Sequence, residues 1–497
     1  MTPSTTAGAA GLIREALEVY GDDTQAAEAL RGYARRLAEP LRIAIAGMVK
    51  AGKSTLLNAI IGEEIAPTDT GECTRIVTWY RHGHTPRITL HPVTGEPRNL
   101  PLKRVDGRLV FALDGVEAEE VERLDVEWPA PALQAMTLID TPGIASVSQD
   151  VSARSIRFLT PEDSASEADA VIYLMRHMHA SDLRFLESFR DTAAGRSGTV
   201  NAIAVLSRTD EVGAGRIDSL LSAGSIAERY SRDPNLRKLA LGVVPVAGLL
   251  AQSARTLRQP DFEALQLLAT LDRAARERML LSADRFRRSG EPVALTEEAR
   301  SSLLERYGLF GIRLAVVLIR NGYPEPTPLA HELARRSGLD PLLEVLDRQF
   351  QARAEALKAR TVLVAVGNLL DSRPREGTQE LAASLERVQA NAHEFRELRL
   401  LAALRTAGVD LAPELAAEAE RLIGGRGAAA SLRLGMAPDS GPDVLAAEAR
   451  RCLARWRRVA ESPLTARSAV ETCRVVIRSC EGVLADFAAR DAQAQSA

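Results

Sequence analysis

Gly47-Met48-Val49-Lys50-Ala51-Gly52-Lys53-Ser54-Thr55 stands between two apolar runs, Leu41-Arg42-Ile43-Ala44-Ile45-Ala46 before it and Leu56-Leu57-Asn58-Ala59-Ile60-Ile61 after it. The order reads as strand, glycine-containing loop, helix, which is the context a phosphate-binding loop requires. Gly47 and Gly52 let the backbone curl, so that N–H groups of Lys50, Ala51, Gly52, Lys53, Ser54 and Thr55 can face one anion. A helix beginning near Lys53 aims its positive end at the same point. Lys53 is then placed to reach the β- and γ-phosphates of a nucleotide, and the Ser54 hydroxyl to ligate Mg²⁺.

Three later segments fit the same site in the required order. Leu138-Ile139-Asp140-Thr141-Pro142-Gly143 follows a strand. Asp140 there holds Mg²⁺ through water, and the Gly143 N–H bonds the γ-phosphate and releases it after hydrolysis. Val205-Leu206-Ser207-Arg208-Thr209-Asp210 ends another strand. GTPases read Asn- or Thr-Lys-x-Asp here, the carboxylate accepting from guanine N1–H and its amine. Adenine offers no such pair of donors, so Asp210 favours GTP over ATP. Arg208 in place of Lys can still stack over the base. Val244-Pro245-Val246-Ala247-Gly248 ends the last strand and places Ala247 and Gly248 for backbone contacts to the base. A threonine is needed before the second strand to ligate Mg²⁺ and sense the γ-phosphate. Thr70 and Thr74 compete, and Thr74 is chosen because it adjoins the strand Ile76–Arg81.

Catalytic help is less evident. Small GTPases commonly place a Gln after the Asp-x-x-Gly motif to orient the attacking water, and here that residue is Ile144. Catalysis then rests on Lys53, Thr74, Gly143, the loop amides and Lys50, which either spans the phosphates or contacts a partner. Arg176-His177-Met178-His179-Ala180-Ser181-Asp182 lacks the spacing of a metal site and reads as an interface, with Arg176 or Asp182 reaching across a dimer.

A chain of 497 residues exceeds one core, and its 46% hydrophobic and 26% charged residues are those of an ordinary soluble protein. A formal charge of −3 and 4% aromatics give no argument for nucleic acid. Cys73, Cys452, Cys473 and Cys480 are scattered without zinc spacing, and residues 1–10 do not resemble a secretion signal, so a reducing cytosol is expected. Apolar runs such as Leu314–Ile319 are too short to cross a bilayer, which limits any membrane contact to a peripheral one. Helical spacing covers residues 1–40. Candidate strands follow at Leu41–Ala46, Ile76–Arg81, Arg87–His91, Leu109–Leu113, Met136–Ile139, Ala170–Leu174, Val200–Leu206 and Val243–Val246. Beyond about Leu249 only helical spacing remains. The expected fold is an α/β GTPase head of the P-loop NTPase class with a mostly parallel sheet, plus an elongated α-helical bundle stalk. The head spans 41–345 with its core in 41–260, the stalk spans 346–497, and the helices of 1–40 fold back onto the stalk.

Together these residues resemble the dynamin superfamily. Lys50-Ala51-Gly52-Lys53-Ser54-Thr55-Leu56-Leu57-Asn58-Ala59-Ile60-Ile61-Gly62 and Ala66-Pro67-Thr68 look like its bacterial branch. The resemblance is specific over about 41–260 and architectural elsewhere. It implies GTP hydrolysis, head dimerisation with a second copy or a paralogous dynamin-like protein, and a stalk tip that meets anionic lipid at the inner face of the plasma membrane. Ser207-Arg208-Thr209-Asp210 departs from the family's base motif, and the membrane paddle of larger members is not evident. Residues 422–442 are the candidate tip, Leu422, Ile423, Leu432 and Leu434 being interleaved with Arg426 and Arg433. Two other readings share the phosphate loop: a ribosome-linked regulatory GTPase, and a poorly hydrolysing scaffold that oligomerises with a paralogue.

Overall fold

The computed structural model describes residues 5–68, 75–105, 108–111, 113, 115–143, 159, 166–189, 201–216, 218–288, 293–406 and 409–496, without the side chains of 214 and 489–496. Helices α1 (Thr5–Tyr20) and α2 (Thr24–Ala38) precede β1 (Leu41–Gly47) and α3 (Lys53–Ile61). Then come β2 (Val77–His82), β3 (Arg87–Pro92), β4 (Arg98–Leu100), β5 (Lys103–Val105), β6 (Arg108–Val110), β7 (Val121–Trp128), α4 (Ala132–Ala135) and β8 (Met136–Asp140). β9 (Ala170–Met175), α5 (Ala180–Ser188), β10 (Ala202–Ser207), α6 (Ser219–Ser231), α7 (Pro234–Arg237), β11 (Val243–Val246) and α8 (Gly248–Arg255) complete the mixed region. The rest is helical: α9 (Gln259–Thr270), α10 (Arg273–Met279), α11 (Ala283–Arg288), α12 (Glu297–Arg320), α13 (Pro326–Arg336), α14 (Leu339–Gln349), α15 (Ala354–Ser372) and α16 (Thr378–Asn391). It ends with α17 (His393–Thr406), α18 (Pro413–Leu422), α19 (Ala430–Leu434), α20 (Pro442–Glu461) and α21 (Arg467–Ser496).

The main sheet runs β11-β10-β9-β1-β8-β2-β7-β3-β4. From β11 to β8 every neighbouring pair is parallel, and β2 turns the sheet antiparallel against β8. The central strands are buried on both faces, so they read as continuous apolar runs such as Ala170–Met175. Two expectations are corrected. Strand β7 was not foreseen, because its buried Val121, Leu124, Val126 and Trp128 alternate with acidic residues and dilute the apolar signal. Leu109–Leu113 adds no strand to the main sheet; Arg108–Val110 pairs instead with β5 as a separate hairpin.

The sheet shares its core with Leu339, Leu342, Leu346 and Phe350 of the α14 region. A second core joins α1 and α2 to α15–α18 and to α20 and α21, with Trp456 fully buried. Lys358 Nζ of α15 donates to the carbonyls of Leu37 and Glu39, both at 2.8 Å, where α2 leads into β1 of the head. At the same level, buried Arg36 of α2 pairs with Asp169 before β9 at 2.7 Å, and Thr361 of α15 donates to that carboxylate at 3.1 Å.

The candidate tip at 422–442 is also corrected. Leu422, Ile423 and Leu434 are buried in the bundle core, so they are not offered to lipid. The segment lies against the head junction: Gln349 donates to the Gly425 carbonyl at 3.2 Å, Arg353 donates to that of Gly424, and Arg237 of α7 pairs with Glu420 at 3.3 Å. Arg433 faces inward onto Glu397 at 2.5 Å. Burial raises the Glu397 pKa, but His393, Arg433 and Ser479 outweigh it and bring the carboxyl down to about 2. A carboxyl depressed in the folded state contributes stability above its unfolded pKa and loses it as pH falls through the folded value. Glu397 should therefore supply ~3 kcal/mol at neutral pH that disappears between about pH 5 and 2. Urea midpoints of wild type and Glu397→Gln measure this. The wild type should lose more stability than the variant on going from pH 6 to pH 3.

Candidate functional site

The C-terminal ends of β1, β8, β9, β10 and β11 lie side by side, where open parallel sheets gather their ligands. β1 closes with Gly47 at φ +149, and a Cβ there would come within 2.4 Å of the Leu174 carbonyl of β9. Only glycine lets the loop leave the sheet at that point. Gly52 caps α3 in the left-handed region, and Lys50 holds a left-handed φ of +62 despite its side chain. Such strain in a non-glycine residue is retained where surrounding structure dictates it, commonly at ligand clamps.

Lys53 Nζ sits 3.3 Å from the Gly47 carbonyl and 3.4 Å from that of Met48, folded over its own loop. Burial lowers its pKa and Asp140 pulls it back up. The Ser54 hydroxyl donates to Asp140 Oδ2 at 2.8 Å. Asp140 Oδ1 is buried without a hydrogen-bond partner among the described residues, and burial raises that carboxyl against the pull of Lys53 and Ser54. A buried carboxylate oxygen left over beside a hydroxyl fits a hard divalent cation reached through water. Thr141 locks the end of β8 by donating its hydroxyl to the Ile45 carbonyl at 2.9 Å. Gly143 follows so close to the loop that a Cβ would stand 2.6 Å from the Val49 side chain.

A cavity of ≈ 120 Å³ opens beside the loop. It brings together Ala51, Gly52 and Thr55 with Arg208, Asp210 and Gly248, on walls of Leu56, Leu174 and Val205. These apolar walls were missed in the sequence because they are also ordinary core strand and helix positions. Burial raises the Asp210 carboxyl, with its own backbone N–H and Arg208 pulling down and Glu211 pushing up. Glu211 is the other residue missed. It takes Arg208 at 2.6 Å and Arg176 at 2.6 Å, so one carboxylate tethers the base turn to the end of β9. Ser207, the departure from the usual motif, donates to the Met175 carbonyl at 3.3 Å and ties the two strands.

Residues 43–204 match the Dynamin family. Isoniazid-induced protein IniC of Mycobacterium tuberculosis H37Rv is 44% identical over 455 residues, 92% of this chain and 92% of its own. The chain belongs to the bacterial dynamin-like proteins. A bacterial dynamin-like protein of Nostoc punctiforme is 28% identical over 214 residues, covering 40% of this chain and 28% of its own. A solved oligomerised bacterial dynamin pair aligns over 98% of this chain and 74% of its own at 14% identity, with a TM-score of 0.32 that is too low to equate their arrangements. The dynamin GTPase domain implies binding of GTP.

Within this dynamin-like head, two expected roles do not fit. Ala247 gives its N–H to the Ser337 carbonyl at 2.8 Å, so that amide is not free for a base. The following Gly338 abuts β11 so tightly that a Cβ would meet the Pro245 carbonyl at 2.1 Å. Asp182 is buried, accepting from the Tyr173 hydroxyl at 2.7 Å and the His179 N–H at 2.8 Å, and caps α5 rather than reaching a partner. Lys50 and Val49 are exposed at the mouth of the site. Thr70, Thr74 and Ile144 lie outside the described residues.

Proposed function

We propose that this dynamin-like protein hydrolyses GTP to GDP and phosphate with Mg²⁺, and that its heads pair with a second copy or a paralogue over the nucleotide pocket. The observation that carries the reading is one cavity shared by the Gly52–Thr55 loop and Asp210, with the Ser54–Asp140 pair beside Lys53. In this reading the loop amides and Lys53 hold the triphosphate. Ser54, and Asp140 through water, would hold Mg²⁺, which would supply positive charge against the phosphates. Asp210 reads the guanine edge, and Gly143 senses the γ-phosphate. Thr74 would complete the metal site. Exposed Lys50 is the side chain best placed to meet a partner head. The shared core of the sheet with Leu339–Phe350 supports a head that reaches about 350, slightly past the expected 345, and the common core of 5–38 with 354–488 supports a bundle built from both chain ends.

GTP turnover tests this. Lys53→Ala should reduce turnover by about 10²-fold or more, since a transition-state charge partner is removed. Specific activity should rise with protein concentration if heads pair. Wild type that binds GTP but does not turn it over, at high concentration and with anionic liposomes, would favour the scaffold reading.

The same reading includes peripheral contact with anionic lipid on the cytoplasmic side. No helix among the described residues is long and apolar enough to cross a membrane. The turn between α20 and α21 supports such contact better than 422–442 does. Leu464 there is 96% exposed, and Arg458 and Arg467 beside it are exposed without a carboxylate partner among the described residues. Flotation with phosphatidylglycerol liposomes should fall several-fold in Leu464→Asp and stay unchanged in Leu432→Asp. The reverse pattern would restore the earlier segment.

A further inference from the structure

On the helical side of the head, α6, α10 and α12 enclose a groove of ≈ 920 Å³. Its floor is Leu280, Val316 and Val317. Its rims carry Leu221 and Leu281, 78% and 65% exposed. Two large aliphatic side chains standing free on either side of one concave apolar floor differ from single surface hydrophobics, which need no explanation.

The charge in the groove is the second observation. Arg276 Nη1 donates to the Leu271 carbonyl at 2.8 Å, and Arg320 Nη1 donates to the carbonyls of Ala269 at 2.8 Å and Leu271 at 3.3 Å. Arg313 donates to the Gly215 carbonyl at 2.7 Å and to that of Leu280. None of the three has a carboxylate ion pair among the described residues. Carbonyls satisfy their N–H groups but cancel none of their charge. Burial first and Arg320 second hold the Arg276 pKa below its ordinary value, with Asp272 and Glu277 offsetting only part. Arg216 and Arg273, at the edge, are paired with Asp218 at 3.4 Å and Glu277 at 2.7 Å.

The spacing selects the occupant. Arg313, Val316, Val317 and Arg320 stand at i, i+3, i+4 and i+7 on α12, one stripe two turns long with cations about 10 Å apart. A small phosphate would need its cations converging on one point, and a flat bilayer does not enter a concave floor. A helix with carboxylates two turns apart and apolar residues between them matches both the charge and the floor. We propose that this groove docks an acidic amphipathic helix of a partner protein. Arg313 connects the groove to the nucleotide site, because Gly215 closes the turn that carries Asp210. The docking itself does not depend on GTP hydrolysis.

Fluorescence anisotropy on the full-length protein tests the proposal. The probe is a labelled helical peptide of about five turns bearing Glu at i and i+7 and Leu at i+3 and i+4. Its control carries Lys in place of Glu. The Glu peptide should bind at least about tenfold tighter than the Lys peptide, and Arg320→Glu and Leu281→Asp should each weaken it about tenfold, or ~1.4 kcal/mol. Arg478→Glu, on α21, should leave binding unchanged. Circular dichroism melts confirm folding, and Leu281→Asp, at an exposed site, keeps the test valid if Arg320→Glu does not fold. Equal binding of both peptides, or wild-type binding by both folded groove variants, overturns the proposal. Phosphatidylglycerol vesicles that bind in an Arg320-dependent way while the Glu peptide does not bind would overturn it in favour of lipid.

Discussion

Asp210→Asn is expected to exchange guanine for xanthine as the preferred base. In the proposed reading the carboxylate accepts from N1–H and from the exocyclic amine. An asparagine amide presents one acceptor and one donor, so the guanine amine would face a second donor across a buried gap. An unpaired polar group in such a place costs about 1–3 kcal/mol, and sites built to pair a polar edge discriminate by up to about 10⁴. GTP affinity should fall by about 10²-fold. Xanthosine triphosphate carries a carbonyl where guanine has its amine, and it should bind the variant better than GTP. Burial already raises the Asp210 carboxyl, and donors on a base edge would offset that desolvation. Competition with GTP, xanthosine triphosphate and ATP measures the switch. A wild type indifferent between GTP and ATP would remove Asp210 from the base site.

The largest stability effect is expected at the joint between head and bundle. Arg36 and the Asp169 carboxylate are almost wholly buried, 2% and 0% exposed, and 2.7 Å apart. Asp169 also accepts the Arg42 N–H at 2.9 Å and the Thr361 hydroxyl, and Arg36 donates to the Ser166 carbonyl at 2.7 Å. Arg36→Met leaves that carboxylate buried without its cation. Removing one partner of a buried pair costs about 3–5 kcal/mol, whereas replacing both can be near neutral. Arg36→Met should therefore lower the thermal midpoint by several degrees, and adding Asp169→Asn should recover part of the loss. A double-mutant cycle reports the coupling. Additive losses would mean that Arg36 acts by packing alone.

The phosphate loop was legible because its chemistry is local: the glycines, Lys53 and Ser54 are contiguous, and their flanks reveal strand and helix. The parallel centre of the sheet was legible for a related reason, since strands covered on both faces are apolar throughout. β7 was not, because its four buried apolar residues are interrupted by Glu122, Arg123, Asp125 and Glu127. Leu422–Leu434 misled because interleaved apolar and Arg residues look the same whether they face lipid or a buried Glu397. The sequence cannot show that Glu397 lies there. Glu211 escaped notice because its two guanidinium partners come from separate strands, and Ala247 because the carbonyl that takes its N–H belongs to a distant helical turn.

That helical turn bears on the order in which the protein is made. Pro245 and Ala247, on either side of the pocket residue Val246, are buttressed by Ser337 and Gly338, which leave the ribosome much later. A nascent chain that has finished its last strand still lacks this support. Nucleotide capture during synthesis should begin only after Gly338 has emerged, and chains stalled upstream of it should remain open to protease at β11.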